Sequence, residues 1–185
     1  MNRIALVFLI LFCFSCDQNK YMRKYKLPKT SSANIIVNDS NKEKSNLNFK
    51  WTAPNDWVVS NNGSMRIGSY NVPFNNNQYA DLSITYFKGD GGGLMQNINR
   101  WRGQLNLKEL SLDEIEDAAV YGNSSIGSYK MFEIVDTLNT IRAFLCFIIS
   151  TDTSTIFLKL DSSFEGINTL ENNIKNFVAT FKYTR

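Results

Sequence analysis

The stretch that decides the fold reads Lys88-Gly-Asp-Gly-Gly-Gly-Leu-Met-Gln-Asn-Ile-Asn-Arg-Trp-Arg-Gly-Gln-Leu105. Its glycines break a strand, and a helix is expected to start near Leu94 and to stop near Asn106. The apolar residues of that helix follow the spacing i, i+4, i+7 and i+11, which places them on one stripe: Leu94, Ile98, Trp101 and Leu105. The pattern predicts an amphipathic helix that packs against a sheet.

The same stretch is the strongest candidate for a binding site. Three successive glycines let backbone amides approach a ligand, and a helix N-terminus favours anions. The Walker pattern is missing, and Asp90 would repel an anion, so we expect Asp90 to cap the helix instead. Two interpretations stay open: a structural turn, or a ligand or partner site formed by Gly91, Gly92, Gly93, Asn97, Asn99, Arg100 and Arg102.

The two arginines of this helix also have two interpretations. Arg100 and Arg102 fall outside the apolar stripe, so they are expected to point away from the sheet and to extend a surface contact. Alternatively, Arg100 ties the helix to the sheet by bonding carbonyl groups or a carboxylate.

Strand patterns lie on both sides of the helix. Apolar and polar residues alternate over 47–51, 64–72 and 80–87 before it, and strand patterns cover 115–121, 129–135, 141–150 and 155–160 after it. Pro73 is expected to close the second strand. Short turns join the last four strands, as in an antiparallel meander. The sequence therefore predicts an antiparallel sheet of about six to seven strands.

A second helix is expected at the C-terminus. Asn168 is a candidate cap, and the apolar side of the helix holds Leu170, Ile174, Phe177, Val178 and Phe181. Strands, helix, strands and helix in this order indicate the α+β class, with one sheet and two main helices.

The first residues have the proportions of a secretory signal. The apolar run over 4–14 is too short to span a membrane and matches a signal-peptide core. The segment Phe12-Cys-Phe-Ser-Cys16 resembles the bacterial lipobox, with a small residue before the cysteine. That resemblance implies cleavage before Cys16 and lipidation of this residue; an ordinary secretory signal cut nearby is the alternative. We expect a signal peptide over 1–15 and a lipid anchor facing an extracytoplasmic space.

Charge separates a tether from a folded domain. Residues 17–46 hold seven basic and three acidic residues, whereas residues 47–185 hold twelve basic and fourteen acidic residues. We expect the lipidated cysteine and a polar, basic tether over 16–46, followed by a single domain over 47–185. The first basic residues of the tether would be drawn to anionic headgroups: Lys20, Arg23, Lys24, Lys26 and Lys29. The mildly acidic domain argues against nucleic-acid binding.

Two family resemblances can be named. The Trp51-x-x-Pro-x-x-Trp57 opening and the Asn97-x-Asn-Arg-Trp-Arg-x-Gln104 helix resemble a group of uncharacterised bacterial predicted lipoproteins, over residues 51–105. The order of elements is similar, more remotely, to PsbP-like domains, which have a central antiparallel sheet with flanking helices. Neither resemblance implies a catalytic residue.

Composition restricts the chemistry. The chain has no histidine, which removes serine–histidine and cysteine–histidine catalysis and histidine-based zinc sites. Cys146 lies in an apolar strand pattern and is expected to be a buried hydrophobe. The acidic cluster over 113–117 lacks the spacing of a calcium loop. We expect no catalytic residue, metal or cofactor.

Three functions follow from these expectations. The preferred one is a non-catalytic lipoprotein that binds an envelope protein partner. The second is a small-ligand or anion binder that uses residues 91–93. The third is an enzyme based on carboxylates such as Asp81, Asp90 or Glu133, which the sequence does not pair.

Overall fold

One antiparallel sheet with helices on both faces forms the domain. The computed structural model describes residues 47–61, 63, 65–75 and 77–184. The expected signal peptide over 1–15, the lipidation site Cys16 and the tether lie outside these residues.

Seven strands form the main sheet. They are β2 (Val58–Val59), β3 (Arg66–Phe74), β4 (Gln78–Lys88), β5 (Val120–Ser124), β6 (Gly127–Asp136), β7 (Asn139–Ser150) and β8 (Ser154–Ser162). Their order in the sheet is β2-β3-β4-β8-β7-β6-β5, and every neighbouring pair is antiparallel. A second sheet pairs β1 (Phe49–Lys50) with β9 (Lys182–Tyr183). The α+β prediction, the antiparallel sheet and the meander from β5 to β8 are confirmed.

Three helices flank the sheet: α1 (Leu94–Gln104), α2 (Leu112–Asp117) and α3 (Phe164–Ala179). The apolar side of α3 is buried in the larger core, as predicted from its spacing, through Leu170, Ile174, Phe177 and Val178, with Phe181 just beyond the helix. The smaller core lies on the other face and contains the predicted stripe of α1 together with Phe144, Cys146 and Phe157.

The helix α2 corrects the prediction of a strand over 115–121. The Ser111 hydroxyl accepts a hydrogen bond from the amide of Glu114, and the Glu114 carboxylate accepts one from the amide of Ser111. This reciprocal capping box starts a helix, and it places Ile115 in the smaller core. The acidic cluster therefore lies on a short helix, and the strand begins only at Val120.

Two element boundaries also differ from the prediction. The helix α3 begins at Phe164, because the Ser163 hydroxyl accepts a hydrogen bond from the amide of Gly166, and Asn168 lies inside the helix. The strand β3 continues through Pro73 to Phe74. β2 pairs with Tyr70 and Asn71, so Pro73 lies past its end, where a missing N–H costs no ladder bond.

Cys146 is fully buried in β7, which confirms its predicted packing role. Burial raises the pKa of its thiol, which disfavours the reactive thiolate. Among the residues that the structure describes, no helix is both long enough and apolar enough to cross a membrane.

Candidate functional site

The glycine turn joins β4 to α1 through left-handed backbone. Gly89, Gly91, Gly92 and Gly93 all have positive φ angles. The turn is attached to the start of β8: the amide of Gly89 donates to the carbonyl of Thr153 at 2.9 Å, and the Thr155 hydroxyl donates to the carbonyl of Gly89 at 2.7 Å. A side chain at position 91 would also meet the Phe157 ring, since a Cβ there would lie 2.7 Å from it. Glycine is therefore required by both backbone and packing.

Asp90 does not cap the helix, so that prediction is wrong. The N-cap residue of α1 is Gly93, and no side chain caps it. The Asp90 carboxylate instead accepts a hydrogen bond from the amide of Gly92 at 3.0 Å, inside the turn.

The side chain of Asn97, in the first turn of α1, closes the glycine turn. Its side chain is 6% exposed, and its Nδ2 donates to the carbonyl oxygens of Gly91 at 3.0 Å and Gly93 at 2.7 Å. Its Oδ1 accepts a hydrogen bond from Arg100 Nη2 at 2.9 Å. The side-chain amide of Asn97 thus holds the glycine turn closed. Its nitrogen and its oxygen are both hydrogen-bonded within the protein.

Asn99 and Arg102 fasten the far end of the helix to the segment that follows it. Asn99 Nδ2 donates to the carbonyl of Leu110, and its Oδ1 accepts from the amide of Leu110, both at 2.9 Å. Arg102 Nε donates to the carbonyl of Lys108 at 2.8 Å. These bonds position the residues that lead into α2.

Arg100 is exposed and does not bond the sheet. Its guanidinium lies 5.9 Å from the centre of the Trp101 ring and donates to Asn97 on the same helix. The structure thus agrees with the interpretation in which Arg100 faces away from the sheet. The role of residues 91–93 and of the helix in binding a ligand or partner stays a prediction.

The three carboxylates weighed for catalysis lie on separate elements. Asp81 on β4 accepts two hydrogen bonds of 2.8 Å from Arg66, and Asp90 is bonded within the glycine turn. Glu133 lies on β6, which is separated from β4 by β8 and β7. Burial, with the nearby Glu171 carboxylate, raises the pKa of Glu133. The described residues contain no cluster of carboxylates and cysteine with the arrangement of a metal site.

A groove of about 670 Å³ opens at another part of the domain, where β1 approaches the start of β3. Its aromatic and aliphatic side comes from Phe49, Trp51, Ile67 and Tyr70. Its polar side comes from Lys50, Ser60, Asn61, Arg66 and Ser69. A second hollow of about 310 Å³ lies between the Trp51–Trp57 segment and α3, and it is lined in part by Thr52, Trp57, Asn173 and Asn176.

Trp51 is fixed within this groove by its neighbours. Its indole Nε1 donates to the Tyr70 hydroxyl at 2.8 Å, and its ring stacks on Phe181 with 5.3 Å between centroids. Gly68 makes room for it, because a Cβ at that position would lie 2.9 Å from Trp51 Cζ2. The first tryptophan of the Trp-x-x-Pro-x-x-Trp pattern therefore shapes the groove.

A hydrogen-bonded network forms the polar side. Arg66 binds Asp81 through both Nη atoms and also donates from Nη1 to the Ser69 hydroxyl at 2.9 Å. The hydroxyl oxygens of Ser60 and Ser69 are 2.9 Å apart. The guanidinium charge is compensated by Asp81, whereas Lys50 adds an exposed ammonium group to the groove.

The sequence predictions did not include the groove. One signal was present: Gly68 interrupts a predicted strand, and glycine inside a strand marks a close approach of other groups. The partner that approaches, Trp51, is 17 residues away in sequence, and only the fold brings the two together.

Fold and groove define an α+β domain with a seven-stranded antiparallel sheet, a small second sheet and an amphipathic groove. No protein-family model matches the chain, and no curated protein matches it. Among solved structures, the chain is similar to a protein of Bacteroides thetaiotaomicron VPI-5482, with 15% identity and a TM-score of 0.46 over 75% of this chain and 46% of that one. The chain thus spans less than half the length of the Bacteroides protein.

Two further solved structures are similar at the same level. One is LpqN of Mycobacterium tuberculosis, described as involved in cell envelope biogenesis, with 15% identity and a TM-score of 0.47 over 74% of this chain and 83% of that one. The other is the cyanobacterial PsbP of Synechocystis sp. PCC 6803, with 13% identity and a TM-score of 0.48 over 85% of this chain and 99% of that one.

Proposed function

We propose that this protein is a lipid-anchored, extracytoplasmic binding module of a bacterial cell envelope, without catalytic activity. The observation that carries the proposal is the sequence Phe12-Cys-Phe-Ser-Cys16 at the end of an apolar signal-like run. Lipid on Cys16 would hold the domain over 47–185 at a membrane surface, and the basic residues after it would favour anionic headgroups.

The binding role is supported by what the described residues offer. The chain lacks histidine, and Asp81, Asp90 and Glu133 lie on separate elements. The groove at Trp51, in contrast, has the size and the mixed lining of a small-molecule site. The exposed Arg100 on α1 lies outside the groove lining and is available to a contact, which suits the preferred expectation of an envelope protein partner.

The anchor can be tested with the three cysteines of the chain. The full chain is expressed in a bacterium fed with an alkyne analogue of palmitate, and the labelled protein is followed in membrane and soluble fractions. Cys16→Ser is expected to lose the label and to leave the membrane fraction. Cys13→Ser, which alters the expected signal peptide, and Cys146→Ala, which alters the buried thiol, are expected to keep both. A label that persists in Cys16→Ser would refute the anchor.

The partner hypothesis has its own test on the surface of α1. Arg100→Ala removes an exposed guanidinium, whereas Lys175→Ala, the control, removes a half-buried cation of α3 that is paired with Glu171. Cross-linking in intact cells is expected to lose a defined complex with Arg100→Ala and to keep it with Lys175→Ala. Identical cross-links in both variants would remove this surface from the proposal.

A further inference from the structure

We propose that the groove beside Trp51 binds a carbohydrate, with one sugar ring stacked on the indole and its hydroxyls bonded to the polar wall. This inference deepens the proposed binding function, on which it rests, by naming the site and the chemical class of its ligand. It does not depend on the lipid anchor.

Neighbouring residues hold the aromatic surface of the groove in place. Phe181 stacks against the Trp51 ring at an interplanar angle of 20°, and Gly68 lies against the Cζ2 edge. The hydrogen bond to the Tyr70 hydroxyl fixes the rotation of the indole. The part of Trp51 that stays exposed lines the groove, so a ligand would meet a preformed surface and would not have to order it.

The polar wall offers donors and acceptors in close alternation. The Ser60 hydroxyl can both donate and accept, the Asn61 side chain adds an exposed amide, and Lys50 adds an exposed ammonium group. The buried Ser69 hydroxyl is already bonded to Arg66 and Ser60 and holds this wall in place. Among the described residues, Arg66 Nε makes no hydrogen bond, which leaves it available to an acceptor. A ligand rich in hydroxyl groups matches such a wall, because each of its hydroxyls also donates and accepts.

Other ligand classes fit these groups less well. A cation would find no carboxylate in the lining, since Asp81 stands behind Arg66 and is bonded to it. An acyl chain would leave the Lys50 ammonium, the Asn61 amide and Arg66 Nε desolvated without hydrogen-bond partners. A phosphate would meet the single ammonium group of Lys50 beside a guanidinium whose charge Asp81 already compensates.

A sugar ring satisfies both sides at once. Its C–H face suits the electron-rich face of an aromatic ring, while its rim presents hydroxyls to the polar wall. The groove volume of about 670 Å³ lies within the range of pockets that enclose small ligands. The occupant that this lining favours is a sugar unit, free or at the end of a glycan.

The three tryptophans provide a direct readout. Trp51 lines the groove, Trp57 lines the second hollow, and Trp101, on α1, is buried in the smaller core. The full chain is labelled with ¹⁵N-tryptophan and kept in a detergent without a sugar headgroup, and its indole NMR signals are followed. Cellobiose, maltose and N,N′-diacetylchitobiose are each added to about 10 mM, a concentration that detects millimolar affinity. Trp51→Phe identifies the Trp51 signal. At least one sugar is expected to shift that indole signal and to leave the Trp101 signal in place.

Paired variants locate the site. Ser60→Ala with Asn61→Ala removes polar groups of the groove and is expected to weaken binding at least fivefold, with Tm close to that of the original chain. Asn173→Ala with Asn176→Ala truncates exposed amides of the second hollow and is expected to leave binding unchanged. Trp51→Leu removes the aromatic face and is expected to abolish binding; its folding is checked by the Trp57 and Trp101 signals.

Three outcomes would overturn the inference. They are the absence of any sugar-dependent shift, a shift of Trp57 that the Asn173 and Asn176 variant abolishes, and a shift of Trp51 by adenosine or uridine but by none of the sugars. Each of these results is independent of palmitate labelling at Cys16. A failed carbohydrate site is thereby distinguished from a failed anchor.

Discussion

Asn97 donates a hydrogen bond of 3.0 Å back to the carbonyl oxygen of Gly91, six residues earlier in the chain. A side chain inside the helix therefore closes the turn that precedes it, while no side chain caps the amides at the start of the helix. The turn and the helix are consequently one structural unit, attached to β8 through Gly89.

Asn97→Asp should test this relationship most directly. The carboxylate keeps the shape of the amide but cannot donate, so it would face the carbonyl oxygens of Gly91 and Gly93. We expect a loss of about 2 kcal/mol in the free energy of unfolding, the scale for a buried group left without its partner, measured by urea titration. Arg100→Ala, which removes the exposed partner of Asn97, is expected to cost much less; an equal cost would contradict this assignment.

Gly91→Ala and Gly89→Ala form a matched pair. Both residues have left-handed backbone, with φ of +64° and +70°, so both substitutions incur the backbone cost of about 1 kcal/mol. Only at position 91 would the new methyl group meet the Phe157 ring, at 2.7 Å, whereas nothing lies within 4 Å of it at position 89. We expect Gly91→Ala to be less stable than Gly89→Ala by a further ~1–3 kcal/mol in urea titrations. Equal losses would mean that the ring moves aside freely.

The sequence predicted the parts of the fold that depend on periodicity. The stripe of α1 and the apolar side of α3 repeat at helical spacing, and both are buried as expected. The short helix α2 was missed because six residues give too little periodicity, although the capping-box sequence Ser111-x-x-Glu114 was a sufficient local signal. Element type was therefore predictable wherever the repeat was long, and boundaries depended on caps.

Ser111→Ala should measure how much this cap contributes to α2. The substitution removes the hydroxyl that accepts from the amide of Glu114, and we expect it to cost about 1 kcal/mol in the free energy of unfolding. Ser111→Asp supplies another capping oxygen and is expected to restore most of the loss. If both variants were equally destabilised, the hydroxyl would matter for another reason than capping.

The candidate site was less predictable than the fold, since its groups meet only in three dimensions. The sequence directed attention to the glycine turn, where the amide of Asn97 satisfies the turn's own carbonyl groups. The groove combines Trp51 before the sheet with Ser60 and Arg66 around the first hairpin. Neither period nor spacing relates these residues, because long-range pairing of β1 with β9 positions Trp51.

Asp81 and Asp161 are direct partners across β4 and β8, and each is held by its own arginine. Like charges opposite each other on a sheet are destabilising, so Arg66 and Arg142 offset a repulsion. Arg66→Met is expected to lower the free energy of unfolding by about 1–2 kcal/mol, less than for a fully buried pair because both partners are partly exposed. Adding Asp81→Asn to that variant should recover most of the loss in a double-mutant cycle. No recovery would show that Arg66 acts by packing alone.

Glu116→Gln should make stability depend on pH in a defined direction. Hydrogen bonds from Lys130 and from the Tyr121 hydroxyl hold the pKa of Glu116 below its ordinary value. An acid whose pKa is lower in the folded state stabilises the fold above its ordinary pKa, about 4.3, and loses that contribution as the pH falls through the lowered value. At pH 7 we expect Glu116→Gln to be less stable by about 0.5 kcal/mol, the scale of a largely exposed ion pair, and the difference should vanish near pH ~2.

Glu109→Gln alters an exposed carboxylate that makes no hydrogen bond among the described residues, and it should show no such trend. A difference for Glu116→Gln that persists unchanged in acid would mean that the ion pair is not its source.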